Sequence, residues 1–255
     1  MPFVTAGGHS LEYQWIEGAE PALVFLHEGL GSIRQWRDFP AQVAAATGRR
    51  ALVYDRYGYG NSDVMQEESA GVKFMHREGL EVLPAFLKAM KIANPILVGH
   101  SDGASISLIY AGAGNPVRGM ALVAPHVFTE EGNLQSIRKI RQTFETTDLP
   151  QRLGRYHRDP RKTFYLWCDA WLDPEFRRWN IEEYLPGIRC PVLAIQGEQD
   201  EYGTMAQLDA IARQVTGPCE LLKLPDCGHS PHKDRTDRVL HSLSGFIGRV
   251  SGTDP

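Results

Sequence analysis

The chain has 255 residues, 42% of them hydrophobic and 23% charged, with a net charge of −4. That length suits one α/β domain or a domain with a small insertion, and the composition is sufficient for a full core. Its basic clusters, Arg152 to Arg161 and Arg177-Arg178, are short and interrupted by acids, so a solvated face is expected there and no nucleic-acid partner.

Ser10 to Ile16 alternates apolar and polar residues, the pattern of an antiparallel edge strand. Ala22 to Leu26 is a nearly continuous apolar run and predicts a strand buried on both faces. The glycine-rich turn His27-Glu28-Gly29-Leu30-Gly31 follows it. Such a turn either connects strand to helix or offers backbone N–H groups to a developing negative charge, and Gly29 is the donor we assign. His27 is expected to be a structural hydrogen-bonder. Phe39 to Ala46 predicts a helix and Ala51 to Tyr54 the next strand. After that strand comes Asp55-Arg56-Tyr57-Gly58-Tyr59-Gly60-Asn61-Ser62, where Asp55 and Arg56 either hold a turn or touch substrate. Val72 to Ile92 predicts one long helix.

Ile96 to Val98 is a strand, Ala104 to Ala113 a helix, and Gly99-His100-Ser101-Asp102-Gly103 lies between them. Strand, G-x-S-x-G, helix is the order of a nucleophile elbow. A turn this tight strains the serine backbone and needs small neighbours. The helix N-terminus beneath it favours negative charge, and the N–H of Asp102 is the natural second donor to an oxyanion. Met120 to Val123 is another strand, with His126 just beyond it.

From about Val127 to Pro186 no strand is predicted. Ile137, Ile140 and Phe144 recur at helical spacing, and Phe164, Trp167, Trp171, Phe176 and Trp179 add bulk. We expect residues 127–186 to be a helical cap, with 1–126 and 187–255 forming the core domain. Ligands bind beyond the carboxyl ends of strands in an open α/β sheet, so an insertion leaving from such an end lies over the site. Trp167, Trp171 and His126 are then candidate substrate contacts. The alternatives are a small core of the cap's own for the tryptophans and a hinge hydrogen bond for His126.

Val192 to Ile195 is a strand followed by Gln196-Gly197-Glu198-Gln199-Asp200. Met205 to Val215 is a helix, Leu221 to Leu224 the last strand, and Arg238 to Val250 the last helix. Asp226-Cys227-Gly228-His229-Ser230 lies just past that strand. A serine hydroxyl needs a base to take its proton, and the base needs a carboxylate to hold its tautomer. In chain order the candidates are Ser101, Asp200 and His229, with Glu198 and Asp226 as rival acids and His232 as rival base. Alternating strands and helices give a doubly wound, mostly parallel sheet of about eight strands.

No apolar run approaches the ~20 residues of a membrane helix, so no membrane partner is expected. The opening residues lack the charged start and apolar stretch of a secretory signal. The four cysteines, Cys168, Cys190, Cys219 and Cys227, show no C-x-x-C pairing. Buried free thiols, no structural metal and a cytoplasmic location are expected.

Taken together, the H-x-G-x-G turn at His27, D-R-x-G-x-G-x-S at Asp55, the elbow at Ser101, G-x-x-D at Gly197 and G-H at Gly228 resemble the α/β-hydrolase superfamily over essentially the whole chain. Within it the chain resembles the capped serine esterase branch, such as carboxylesterases and biphenyl-hydrolase-like enzymes. The resemblance implies a Ser101–His229–Asp200 triad, no cofactor and an acyl-enzyme resolved by water. Glu28 departs from the family's usual glycine after the turn histidine. A carboxylate beside an oxyanion repels it, so Glu28 is expected to point away or to pair with a cation, at the edge of the substrate site. Asp102 is a second departure. In some amino-acid-ester hydrolases of the superfamily an aspartate here resembles an anchor for a substrate ammonium. The alternatives are a buried salt bridge to Arg34 or Arg56, or a water network with Glu28.

The expected activity is cleavage of a small carboxylic ester or thioester. Carbon–carbon bond hydrolysis, lactone opening and perhydrolysis are the alternatives on the same triad. A non-catalytic ligand-binding protein of this fold is the alternative of another class. Serine at 101 argues against the epoxide-hydrolase and haloalkane-dehalogenase relatives, which use aspartate. An apolar edge strand or cap face is the expected surface for any homodimer.

Overall fold

The structure is a computed structural model describing residues 1–252. Strands β1 (Phe3–Ala6), β2 (His9–Ile16), β3 (Ala19–Leu26) and β4 (Arg49–Tyr54) open the fold, with helix α1 (Phe39–Thr47) between the last two. Next come α2 (Phe74–Arg77), α3 (Leu83–Ala89), β5 (Ile96–His100), α4 (Asp102–Gly112) and β6 (Gly119–Val123). Helices α5 (Glu131–Thr146), α6 (Leu149–Leu153) and α7 (Pro160–Leu172) precede β7 (Val192–Gly197). Then follow α8 (Ala206–Gln214), β8 (Cys219–Leu224), α9 (Pro231–Asp234) and α10 (Thr236–Ser251).

The eight strands form one sheet in the order β1-β2-β4-β3-β5-β6-β7-β8. β1 pairs antiparallel with β2 and β2 with β4, while the rest pair parallel. The edge strand expected at residues 10–16 is therefore second from the edge, with β1 outside it. β1 is four residues long and too short to announce itself by periodicity.

Strand side chains alternate between the faces, and so do the two cores. Val24, Leu26, Leu52, Leu97 and Met120 join one cluster with α3, α4 and the segment between β6 and β7. Leu23, Phe25, Val53, Val98 and Ala121 join the other, against α1 and α10. Every residue of β5, β6 and β7 is buried. This is why those segments show apolar runs in the sequence rather than alternation.

The helix expected over 72–92 is interrupted. Residues Glu78–Val82 form a π-helical turn between α2 and α3. Gly79 sits there, and a Cβ on it would lie 3.0 Å from the Ile106 carbonyl oxygen of α4. The wider turn fits where two helices approach at van der Waals limits.

Between β6 and β7 the chain is helical, with a single isolated bridge between Phe128 and Asn180. Its aromatic residues share the main core: Phe176 stacks on Trp179 at 5.3 Å and approaches Phe74 of α2 at 6.3 Å. Cys168 and Cys227 are buried, but Cys190 and Cys219 are half-exposed, a correction to the expectation for all four. No helix among the described residues is long and apolar enough to cross a membrane.

Candidate active site

Ser101 stands between β5 and α4 with φ 52° and ψ −118°. That left-handed conformation is strained for a residue with a side chain. Its neighbours leave no room for one: a Cβ on Gly99 would lie 2.5 Å from the Gly103 carbonyl oxygen, and one on Gly103 would lie 2.1 Å from that of Leu26. The Ser101 N–H is tied to the Val123 carbonyl at 2.9 Å, anchoring the turn to β6.

Three strand ends converge here. Ser101 Oγ is 2.9 Å from His229 Nε2, and His229 Nδ1 is 2.8 and 3.0 Å from the two oxygens of Asp200. A carboxylate only accepts, so Nδ1 carries the proton and Nε2 is free to accept from the serine hydroxyl. Asp200 also accepts from the N–H of Tyr202 at 2.8 Å. Burial raises the Asp200 carboxyl, but the His229 imidazole and these hydrogen bonds outweigh it and hold it below its ordinary value. Burial lowers His229, and the Asp200 carboxylate more than reverses this, leaving it above its ordinary 6.5.

The rivals stand elsewhere. Glu198 is exposed, and Asp226 is 86% exposed beside Arg235. His232 is buried against Trp36 and His100, with its pKa driven down by burial. Sequence reasoning missed His100. Its Nε2–H donates to the His229 carbonyl at 2.8 Å and so fixes the loop that carries His229. Only its place inside the elbow could have suggested this.

A cavity of about 230 Å³ opens onto Ser101 and His229. Gly29 and Asp102 line it, and neither backbone N–H donates to a protein acceptor among the described residues. Trp167 and Trp171 line it as well, Trp167 close against Gly29, with His126 between Trp171 and His229. His126 Nε2–H donates to the Tyr202 carbonyl at 3.0 Å, and burial lowers its pKa to about 4, so the ring is neutral.

Glu28 lines the same cavity and pairs with a cation, Lys233 Nζ at 3.5 Å, the second of the two arrangements open to it in the sequence. Burial raises its carboxyl, but His100, Lys233 and His229 together leave it below its ordinary value. Asp102 forms no salt bridge to Arg34, which is exposed and turned toward the Arg155 carbonyl. Arg56 acts on Asp102 through space but donates to the Glu28 carbonyl instead. Burial pushes Asp102 up to about 6 against the opposing pull of Arg56, His229 and the Trp171 indole, and its buried Oδ2 has no hydrogen-bond partner. Asp55 and Arg56 hold the turn. Asp55 accepts from the N–H groups of Ile33 and Asn61, and Arg56 is buried. No group of three or more His, Cys, Asp or Glu side chains among the described residues is arranged to hold a metal ion.

This sheet order, elbow and strand-end convergence define an α/β-hydrolase. The chain belongs to the Alpha/beta hydrolase family, whose family model matches residues 23–241. It is 27% identical over 257 residues to Serine hydrolase BPHL of Mus musculus, covering 96% of this chain and 85% of that protein. It is 36% identical over 231 residues to an epoxide hydrolase of Caballeronia sordidicola, covering 90% of this chain and 61% of that one. Among solved structures, a carboxylesterase of Nitrososphaera gargenis superposes with a TM-score of 0.78 at 19% identity, covering 98% of both chains. The protein is a hydrolase of this family's type.

Proposed function

We propose that the protein is a serine hydrolase that cleaves small carboxylic esters or thioesters through an acyl-enzyme. The observation that carries this is the unbroken chain of hydrogen bonds from Asp200 through His229 to Ser101 Oγ at the cavity. His229 takes the Ser101 proton as Oγ attacks the carbonyl. The N–H groups of Gly29 and Asp102 receive the oxyanion. His229 then protonates the leaving group, and water activated by the same imidazole releases the acid. The serine at the elbow separates this chain from aspartate-nucleophile chemistry such as epoxide opening. Free thiols at all four cysteines fit a reducing cytoplasm.

A fluorophosphonate probe should label Ser101, and Ser101→Ala should lose both labelling and hydrolysis of p-nitrophenyl esters and acyl-CoAs. A variant still hydrolysing at the wild-type rate removes the proposal, and a wild type that neither labels nor hydrolyses favours a ligand-binding role.

One observation favours α-amino esters as a substrate class: Asp102 lines the cavity beside Trp171, and its buried Oδ2 has no hydrogen-bond partner. An ammonium would supply the missing partner. With its carboxyl at about 6, Asp102 is charged above that pH. KM for an α-amino ester should therefore fall as pH rises through 6, and Asp102→Asn should hurt that substrate more than an uncharged one. Equal losses on both would remove this class.

A further inference from the structure

The turn at residues 27–31 is held from behind. The Glu28 carbonyl accepts from Arg56 Nη2 at 2.8 Å, His27 Nδ1–H at 2.7 Å and the N–H of Gly31 at 3.0 Å. Peptide 28–29 is trans, so its N–H points opposite to its carbonyl. With the carbonyl fixed toward Arg56, the Gly29 N–H is turned to the other side, and Gly29 lines the cavity whereas Arg56 does not. The next carbonyl but one is fixed too. His157 Nε2–H donates to the Leu30 carbonyl at 3.0 Å, while its Nδ1 accepts from the N–H of Gly60 at 2.9 Å. Arg158 N–H returns a bond to the Gly60 carbonyl at 2.9 Å, clipping the helical segment to the same loop.

Arg56 is fully buried and lies 4.4 Å over the Tyr59 ring, yet it forms no ion pair with a carboxylate among the described residues. A guanidinium in that position usually serves an acid. Here its bond goes to a neutral carbonyl whose peptide carries a free N–H. We infer that Arg56 and His157 are positioning residues that aim the Gly29 N–H at the oxygen bound during turnover, and that the Arg56 charge polarises that peptide into a stronger donor. A charge-assisted bond to the carbonyl end draws electron density away from the N–H end.

The inference rests on the serine-hydrolase proposal, and the test separates the two. Wild type that neither labels with fluorophosphonate nor hydrolyses removes that proposal and this one with it. Given activity, the variants decide. Arg56→Met should lower kcat by roughly 10- to 100-fold, part of the ~100–1000-fold attached to a whole oxyanion donor. KM should move less than about threefold, because the donor acts mainly on the transition state. Affinity for a trifluoromethyl ketone, whose adduct places an oxyanion at the same point, should fall by the same factor as kcat. Affinity for the product carboxylate and the pH midpoint set by His229 should stay put. Arg56→Lys should recover part of the loss. Should Arg56→Met lack the wild-type circular dichroism, His157→Phe carries the same measurement, with the same parallel loss expected. Folded variants that lose kcat while binding the ketone unchanged, or that lose nothing, overturn the inference.

Discussion

The sharpest single perturbation is a methyl group on Gly29. A Cβ there would lie 2.0 Å from Trp167 Nε1, 2.7 Å from Cε2 and 2.8 Å from Cδ1. Ordinary contact begins at 3.4 Å, so one partner must move by roughly 1.4 Å. Trp167 is 7% exposed and packs beside Phe164 on α7, so the indole has little room. If the turn yields, the Gly29 donor leaves its place, and a misplacement of ~1 Å costs about 100-fold in rate. If α7 yields, overpacking costs about 1–3 kcal/mol of stability. Gly29→Ala should therefore lower kcat/KM for p-nitrophenyl acetate by about 100-fold, or lower the melting temperature, or do both in smaller measure. The cycle with Trp167→Ala isolates the cause. With the indole gone the methyl has space, so Gly29→Ala should cost less than about fivefold in that background. An equal cost with and without Trp167 would refute the steric argument, and no cost in either would deny the turn its role.

Two further outcomes follow from the ionisable groups. His229 must be neutral to accept the serine proton, and its pKa is raised above 6.5 chiefly because Asp200 overcomes burial. The acid limb of kcat/KM should then have its midpoint above 6.5, and Asp200→Asn should move it downward while lowering kcat by about 10⁴, as expected when the imidazole loses its tautomer. A limb that stays in place in Asp200→Asn would exclude Asp200 as the partner. Asp55 is raised by burial to about 7, with the Glu12 carboxyl adding to the shift. The folded chain therefore holds a proton that the unfolded chain releases above about 4, so this group's contribution is greatest at acid pH and declines as pH rises toward 7. Glu12→Gln should flatten that decline in urea melts between pH 5 and 8, and an unchanged slope would exclude the coupling.

The parallel core was legible because both-face burial writes itself as apolar runs, and β3, β5, β6 and β7 stand where those runs are. The three groups at the strand ends were legible for a related reason. Ser101 and Asp200 follow such runs within a few residues, His229 follows the partly exposed β8, and glycines at 99, 103 and 197 mark where backbone comes close. What stayed hidden depends on contacts between distant segments. The π-helical turn at Glu78–Val82 answers to Gly79 meeting α4, and nothing in the helical spacing of 72–92 announces it. His157 is a lone histidine between α6 and α7, and its two partners lie 97 and 127 residues away. His100 was visible only as the unspecified position of the elbow. Trp167 and Trp171 carried two readings in sequence. The structure places both on the cavity wall and both in the main hydrophobic cluster, because the segment between β6 and β7 has no core apart from the sheet's.

That shared core bears on how the site works. The segment grips the two loops that carry Gly29 and Asp200. On one side His157 and Arg158 hold the turn of Gly29 and the loop at Gly60. On the other, Asn133 Nδ2–H and Ser136 Oγ–H donate to the carbonyls of Tyr202 and Glu201, each at 2.5 Å. Glu130 accepts from the N–H of Thr204 at 2.9 Å, its hydroxyl at 2.6 Å and Gln207 Nε2–H at 2.8 Å. Residues 200–204 in turn carry Asp200, and Tyr202 packs its ring 4.7 Å from His229. Lifting α5 would break these bonds together at about 1 kcal/mol each, and would release the acid's loop as it opened the cavity. A freely swinging segment would be built with few bonds to its neighbours, whereas this one is tied at its start to residues 201–207 and midway to the loops at Leu30 and Gly60. Changes in the helical segment should therefore register in kcat through the Gly29 turn and the Asp200 loop, even where they leave the cavity wall intact.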